Sequence, residues 1–178
     1  MITSKQEYKS FLAADKSANH ISGIHALINK RWQYIKCMRK VEYIKNCKHG
    51  ILAKIQLKWQ QYKLSRLSVE TGISIPPNTF GKGLYIPHHG AIVVNGSARF
   101  GDNCVIQNGV NVSAEVLGGG KCYLGAGAKL MIGVHIADYT IVGANAVVTK
   151  SFDEENVVLA GIPAKIISNK GYKNRTII

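Results

Sequence analysis

Two adjacent histidines, His88 and His89, are the residues of this chain best suited to acid–base chemistry. Of the six histidines in the sequence, only this pair lies in a stretch punctuated by Pro87 and Gly90, just before a regular repeat begins. The ordinary pKa of an imidazole lies near neutrality, so such a side chain can remove the proton of an attacking hydroxyl group. A metal site is disfavoured because no third ligand occurs at a suitable spacing. The pair therefore predicts a general base, and the residues alone leave open which histidine it is.

Three quartets of small residues form the second feature that could do chemistry. They are GAGA at 125–128, GANA at 143–146 and GIPA at 161–164, and they start 18 residues apart. If one turn of the fold takes 18 residues, the quartets lie above one another, and their small side chains let a ligand approach the backbone N–H and C=O groups. The pattern predicts a ligand groove, with plain corner residues as the alternative. Lys129, Lys150 and Lys165 are candidate phosphate-binding residues, or else solvated surface lysines.

The element that positions these residues is indicated by a six-residue repeat that begins at Ile92. The third position of successive blocks is large and apolar in nine of ten cases, and the fourth is glycine in four of ten. A period of six with this pattern is typical of a parallel β-helix, in which three blocks close one triangular coil. The large third-position side chains fill the interior, and Gly118 is the exception among them. A β-sandwich is excluded because alternation with period two is absent.

The first part of the chain, 1–71, predicts helices. It is rich in Ala, Leu, Lys, Gln and Arg and poor in helix breakers. The stretch from Cys47 to Gly50 predicts a helix end, with Gly50 in the capping role.

Charge is concentrated in this helical part. The whole chain carries a formal net charge of +13, and 1–71 holds 14 Lys and Arg against 4 Asp and Glu. Such an excess suggests an anionic partner: nucleic acid, a phosphorylated cofactor, an acidic glycan or a membrane surface. A packed helical subdomain with solvated basic faces is the simpler interpretation, and no spacing typical of a DNA-binding motif is present.

Composition narrows the class of protein further. With 46% apolar residues the chain can bury a core, and no apolar run is long enough to span a membrane. The N-terminus lacks the apolar stretch of a secretory signal, and the four cysteines are too sparse for a disulfide framework. We therefore expect a cytoplasmic protein with free thiols, none of them a nucleophile.

The repeat region resembles the hexapeptide-repeat acyltransferases with a left-handed β-helix. Within them it is similar to the serine acetyltransferase branch, which includes sugar and capsular polysaccharide O-acetyltransferases. The resemblance extends over about 68–168 and is carried by GKGLYIPHHGAIVVN, GAGAK, IVGANAVVTKSF and AGIPAK. It implies a mainly β protein: a small α-helical domain at 1–71, a left-handed parallel β-helix at 72–168 and a basic tail at 169–178.

The resemblance also implies a donor and an assembly. Acetyl-CoA is expected as the acyl donor, without a metal, with its pantetheine arm along the small-residue edge between two subunits of a homotrimer or a multiple of one. The implied cofactor-binding residues are Gly125, Ala126, Gly143, Ala144, Ala146, Lys150, Gly161, Pro163 and Lys165. Nucleic acid and an integral membrane segment are not expected.

The family's base corresponds to the histidine four residues before the Ile-Val-Val run, which is His88. His89, Asp15 and Asn108 are expected to line the acceptor site. An acidic partner of His88 is sought among Asp15, Glu42 and Glu70, each of which could equally be a surface or capping carboxylate.

Departures from the family pattern bear on the acceptor. Pro87 replaces an Asp before the base, Ile73 replaces an upstream Asp, and EVLGGGK replaces a histidine-bearing loop. These losses favour a sugar or polysaccharide precursor as acceptor over L-serine, so O-acetylation of a sugar hydroxyl is the leading expectation. L-serine O-acetylation for cysteine biosynthesis is the first alternative, and a non-catalytic β-helix binding or scaffold protein is the second.

Overall fold

The structure is a computed structural model that describes residues 1–173. Helices occupy the first part of these residues and short strands the rest. The helices are α1 (Lys5–Ala18), α2 (His25–Ile28), α3 (Lys30–Cys47) and α4 (Ile51–Thr71). The strands are β1 (Ile73–Ser74), β2 (Ile92–Val94), β3 (Arg99–Phe100), β4 (Val105–Ile106), β5 (Asn111–Val112), β6 (Leu117–Gly118), β7 (Tyr123–Leu124), β8 (Lys129–Leu130), β9 (His135–Ile136), β10 (Ile141–Val142), β11 (Val147–Val148), β12 (Val158–Gly161) and β13 (Ala164–Ser168).

Side-chain caps fix where two of the helices begin. The Ser4 hydroxyl accepts a hydrogen bond from the Glu7 N–H at the start of α1, and the Asn29 side chain accepts one from the Trp32 N–H at the start of α3. The expected capping role of Gly50 at a helix C-terminus is wrong. Helix α3 already ends at Cys47 with Lys48 as its cap, and Gly50 precedes the first residue of α4.

The strands form three flat sheets that wrap around one interior. The first sheet contains β1, β2, β5, β8 and β11, the second β3, β6 and β9, and the third β4, β7, β10, β12 and β13. All neighbouring strands are parallel except β12 and β13, which form an antiparallel hairpin. The predicted parallel β-helix is therefore confirmed, with about five turns.

The third positions of the repeat fill the interior as predicted. Their large side chains are buried, most of them completely: Val94, Phe100, Ile106, Val112, Leu124, Leu130, Ile136, Val142 and Val148. The one small member, Gly118, also has a packing reason. A Cβ atom there would collide with the ring of Phe100, which stacks on Phe80 with ring centroids 4.7 Å apart. Two aromatic rings thus take the volume that Gly118 leaves free.

The helical part packs on the first coil. Trp32, Ile35 and Met38 of α3 join the same hydrophobic core as the coil residues. The buried Tyr34 hydroxyl donates to the Ile75 carbonyl at 3.0 Å and accepts from its N–H at 2.7 Å. These contacts fix the helices to the coil that carries the histidine pair.

Helix α4 ends at Thr71, and the first strand begins at Ile73. Of the predicted tail, residues 174–178 lie outside the described part of the chain. None of the described helices is both long enough and apolar enough to cross a membrane.

Candidate active site

The turn that carries His88 and His89 is longer than the turns below it. Tyr85 pairs with Val105, and Val93 pairs with Asn111, so the upper coil uses two more residues between these points than the next one. Ile86 is fully buried, whereas both histidines are exposed. A strict six-residue count would place His88 in the interior. The two extra residues instead move both rings to the outside, where they can meet a substrate.

One side chain directly after α1 and one from α3 hold this turn by its backbone. The Asn19 amide donates to the Leu84 carbonyl at 2.8 Å and accepts from the Ile86 N–H at 3.2 Å. The Arg31 guanidinium donates to the Ile86 carbonyl at 2.7 Å and also to that of Pro87. Because these bonds end directly before His88, the helices position the candidate base.

A buried charge cluster lies behind the same turn. Arg39 donates to Asp15 at 2.8 Å, to Glu42 at 2.9 Å and to the Phe80 carbonyl at 2.9 Å, and all three charged side chains are fully buried. Burial by itself lowers the pKa of Arg39, but the two carboxylates outweigh burial and raise that pKa above its ordinary value. The cluster joins two helices to the first coil.

Asp15 therefore does not line an acceptor site in this structure, contrary to expectation. Its carboxylate accepts the Leu84 N–H at 2.9 Å in addition to Arg39, and its side chain is closed off from solvent. The other proposed partners of His88 are also engaged elsewhere: Glu42 binds Arg39, and Glu70 lies 3.0 Å from Lys30. Within residues 1–173, no carboxylate forms an ion pair with His88.

An open cavity of about 410 Å³ adjoins both histidines. The end of α2 and the start of α3 provide the opposite wall. The cavity is lined by Ile28, Asn29, Lys30, Arg31, Pro87, His88 and His89. Its charged lining residues are the cations Lys30, which is paired with Glu70 at 3.0 Å, and Arg31. Since the charge of Arg31 has no carboxylate partner among the described residues, the site favours an acceptor with negative or neutral polar groups.

The small residues lie at the same corner of the prism as the histidines. We call this the His88 corner; it links the third sheet to the first and comprises 87–91, 107–110, 125–128 and 143–146. A Cβ atom on Gly90 would lie 3.1 Å from Cβ of Asn108 on the next coil. The Gly127 N–H donates to the Asn108 carbonyl at 2.9 Å, and the Asn145 N–H donates to that of Ala126 at 2.8 Å. At about 4.8 Å per coil, the column below the histidines runs for about 14 Å.

Packing alone already requires glycine at part of this column. A Cβ atom on Gly125 would lie 2.7 Å from the Val142 carbonyl oxygen. The glycines therefore do not by themselves indicate a ligand. Ala144 is the more informative residue because its small side chain is exposed at the corner.

Two of the expected cofactor contacts differ in the structure. Ala146 is fully buried, so its side chain faces the interior of the prism and cannot line a groove. Lys150 lies past β11, at the corner after the first sheet, with its ammonium nitrogen 5.5 Å from the centroid of the Phe152 ring. Lys150 is thus one corner removed from the column.

The third quartet is not in register with the other two. Ile141 pairs with Val158, a step of 17 residues, and the Gly143 N–H donates to the Leu159 carbonyl at 2.8 Å. Gly161 instead ends β12 and pairs with Ala164, and Pro163 lies in the turn of the β12–β13 hairpin. Both residues are exposed, as is Lys165 on the same hairpin. Equal spacing in the sequence predicted a stacking that the shorter last coil does not allow.

Neither repeat cysteine is a poised nucleophile. Cys104 and Cys122 are both buried in the interior, 18 residues apart. A hydrogen bond with Cys122, together with burial, raises the pKa of the Cys104 thiol well above its ordinary value. Direct transfer to an acceptor is thus favoured over an acyl-cysteine.

Comparison with known proteins places this geometry in context. The chain matches no known family model. It is 32% identical over 119 residues to a serine acetyltransferase from Synechococcus elongatus, which covers 62% of this chain and 48% of that protein. It is also 33% identical over 106 residues to one from Mycobacterium tuberculosis, covering 54% of this chain and 46% of that one. The chain is thus similar in sequence to proteins named serine acetyltransferase. It spans about half the length of these curated relatives.

Solved serine acetyltransferase structures share the fold. The enzyme from Brucella abortus superposes with a TM-score of 0.76 at 25% identity, over 94% of this chain and 72% of that one. A serine acetyltransferase solved with CoA matches the fold with a TM-score of 0.74 at 22% identity, over 92% of this chain and 71% of that one.

Sequence reasoning missed the residues that hold the histidine turn. Asn19 and Arg31 belong to the helical part, and no spacing in the sequence relates either residue to His88. The sequence did indicate an irregular turn at the histidines, because Pro87 and Gly90 interrupt the six-residue repeat.

Proposed function

We propose that this chain is an acetyl-CoA-dependent O-acetyltransferase. Its similarity to proteins named serine acetyltransferase supports the reaction class. A fold neighbour solved with CoA supports the donor. The observation that carries the proposal is that one corner of the prism holds both an exposed histidine pair and an open column of small residues.

In the proposed reaction His88 acts on the acceptor hydroxyl. The hydroxyl oxygen forms a bond to the acetyl carbonyl carbon while His88 takes the hydroxyl proton. The carbon–sulfur bond of the thioester then breaks, and the protonated histidine returns its proton to the leaving thiolate. His89 and Asn108 are proposed to contact the acceptor. Asn19 and Arg31 keep the turn in place during the reaction.

The donor is proposed to lie along the column below His88. Ala126, Gly143 and Ala144 leave part of the backbone of the corner accessible, whereas Gly125 is buried. The donor is also proposed to reach the exposed residues Gly161 and Pro163 of the hairpin that follows. Lys165 is the exposed cation on that hairpin and is proposed to meet a phosphate of CoA.

We propose L-serine as the acceptor, because the relatives reported above are named for acetylation of serine. A sugar hydroxyl of an anionic precursor is the second candidate, and one observation favours it. The cavity beside His88 is lined by Lys30 and Arg31 without a carboxylate that could bind the ammonium group of an amino acid.

A thiol-release assay tests the reaction and the acceptor together. The purified chain is mixed with acetyl-CoA and either L-serine or a panel of neutral and acidic sugars, and free CoA thiol is measured. Acceptor-dependent release supports the proposal, and the faster acceptor class decides between serine and sugar. Absence of release with every acceptor, together with no acetyl-CoA binding by calorimetry, would contradict it in favour of a non-catalytic role.

A further inference from the structure

Helix α4 exposes a continuous apolar face that the proposed reaction does not use. Its residues recur every three or four positions and so share one side of the helix. They are Ile51, Leu52, Ile55, Trp59 and Tyr62, with 75%, 79%, 63%, 55% and 55% of their surface exposed. We call this set the outer face of α4. The rings of Trp59 and Tyr62 stack on it with centroids 5.9 Å apart.

The opposite side of α4 is the one that packs on the protein. Leu64 and Leu67 are half-buried against the hydrophobic core, and the Gln60 carbonyl accepts a weak hydrogen bond from the Cys37 thiol at 3.6 Å. The outer face is therefore not turned toward α3. Exposed isoleucine, leucine and tryptophan side chains in one patch mark an interaction surface rather than ordinary surface composition.

Cations surround this face, and carboxylates are absent from its stretch of sequence. From Tyr43 to Val69 the chain contains no Asp or Glu. Its cationic residues are Lys45, Lys48, Lys54, Lys58, Lys63 and Arg66, five of them exposed and Lys48 half-buried. At 100° per residue, Lys54 and Lys58 flank one side of the outer face and Lys63 flanks the other.

This combination of charge and apolar surface selects one kind of partner. A second copy of this chain bound face to face would bring the same cations together, which is repulsive. A nucleic acid would bind the cations, but its phosphate backbone would not bury the aliphatic side chains of Ile51, Leu52 and Ile55. An anionic lipid surface uses both features, because aliphatic groups enter the boundary layer while lysines extend to the phosphates.

We propose that the outer face of α4 binds the surface of a membrane that contains anionic phospholipids. The helix lies in the plane of the interface, with Ile51, Ile55 and Trp59 inserted below the headgroups. Trp59 and Tyr62 suit this depth because their rings have an apolar body and a polar edge. The proposal does not depend on the acetyl-transfer reaction. If both proposals hold, the reaction takes place at the membrane surface.

Vesicle binding by the full chain tests the proposal. Vesicles of phosphatidylcholine, with and without phosphatidylglycerol, are sedimented with wild type, with the double variant Ile55→Ser/Trp59→Ser, and with Leu117→Ser. Leu117 is the matched control because its exposed apolar side chain lies in the β-helix, in strand β6. We expect binding only to the anionic vesicles, weakened by salt, and roughly tenfold or more weaker in the double variant. Leu117→Ser should bind like wild type.

Tryptophan fluorescence gives a second readout. The chain has two tryptophans, and Trp32 is buried in the core, so a blue shift on adding vesicles reports on Trp59. Circular dichroism verifies that the double variant is folded. Three results of the vesicle and light-scattering experiments would overturn the proposal. They are no vesicle binding by wild type, equal binding by wild type and double variant, and loss of an oligomer in light scattering as the only effect of the double variant. An oligonucleotide bound in place of vesicles, through the lysines alone, would also overturn it.

Discussion

At the scale of single residues, the structure separates side chains that face a ligand from neighbours that face the core. Ala144 and Ala146 belong to the same quartet, and the sequence pattern does not distinguish between them. In the structure Ala144 is exposed at the His88 corner, whereas Ala146 is fully buried. Ala144 lies in the turn between β10 and β11, whereas Ala146 directly precedes β11 and packs into the interior.

This difference predicts that substitution by leucine affects ligand binding at Ala144 and stability at Ala146. Ala144→Leu should raise the dissociation constant of acetyl-CoA by roughly tenfold or more, the scale of one lost apolar contact surface, and leave the melting temperature unchanged. Ala146→Leu should lower the unfolding free energy by about 1–3 kcal/mol, because extra methylenes overpack a filled interior. Calorimetry and thermal unfolding measure the two quantities. Unchanged acetyl-CoA affinity in Ala144→Leu would mean that the small column is only structural.

At the scale of elements, the six-residue repeat correctly predicted the buried positions wherever the repeat is regular. From Ile92 to Val148 the apolar third positions predicted the buried residues, since a repeating strand and turn leave one position facing the interior. The predictions from the repeat were wrong where the number of residues per coil changes. Two extra residues push His88 and His89 outward, and a coil of 17 residues takes Gly161 out of register.

How the helices dock could not be predicted from the sequence. The bonds from Asn19 and Arg31 to the histidine turn depend on how the helices sit on the first coil. No period relates those two segments of the chain. For the same reason Asp15 was assigned to the acceptor site, although it is buried against Arg39.

Gly118 provides a test of packing within the β-helix. Gly118→Ala should lower the unfolding free energy by about 1–3 kcal/mol, because the new methyl group collides with the Phe100 ring. A smaller side chain at Phe100 should relieve that collision, so adding Gly118→Ala to Phe100→Leu should cost less than adding it to wild type. Thermal unfolding of the four proteins measures the coupling. Strictly additive effects would show that the two residues do not compete for this volume.

At the scale of the whole molecule, one chain leaves the outer side of the His88 corner open to solvent. Ala144, Gly161 and Pro163 are exposed, and the cavity at the histidines is open. A site that is incomplete in one subunit is completed by symmetric association in many oligomers. We propose that a neighbouring subunit of a homotrimer covers the donor on this side.

Light scattering coupled to size exclusion measures this assembly directly. We expect a mass of three times the 19.4 kDa chain, or a multiple of that mass. The Ile55→Ser/Trp59→Ser variant should keep this mass, because the outer face of α4 is proposed to bind lipid and not another subunit. A stable monomer at micromolar concentration would contradict the trimer.

The central claim is that His88 is the general base at this corner. The most direct measurement is the rate of thiol release from acetyl-CoA by wild type, His88→Ala and His89→Ala at saturating acceptor. Loss of a positioned base should lower the turnover of His88→Ala by about 10²- to 10⁴-fold, with little change in acetyl-CoA affinity. His89→Ala should mainly weaken the apparent affinity for the acceptor. Full activity in His88→Ala would contradict the account, and a large loss confined to His89→Ala would assign the base to the other histidine.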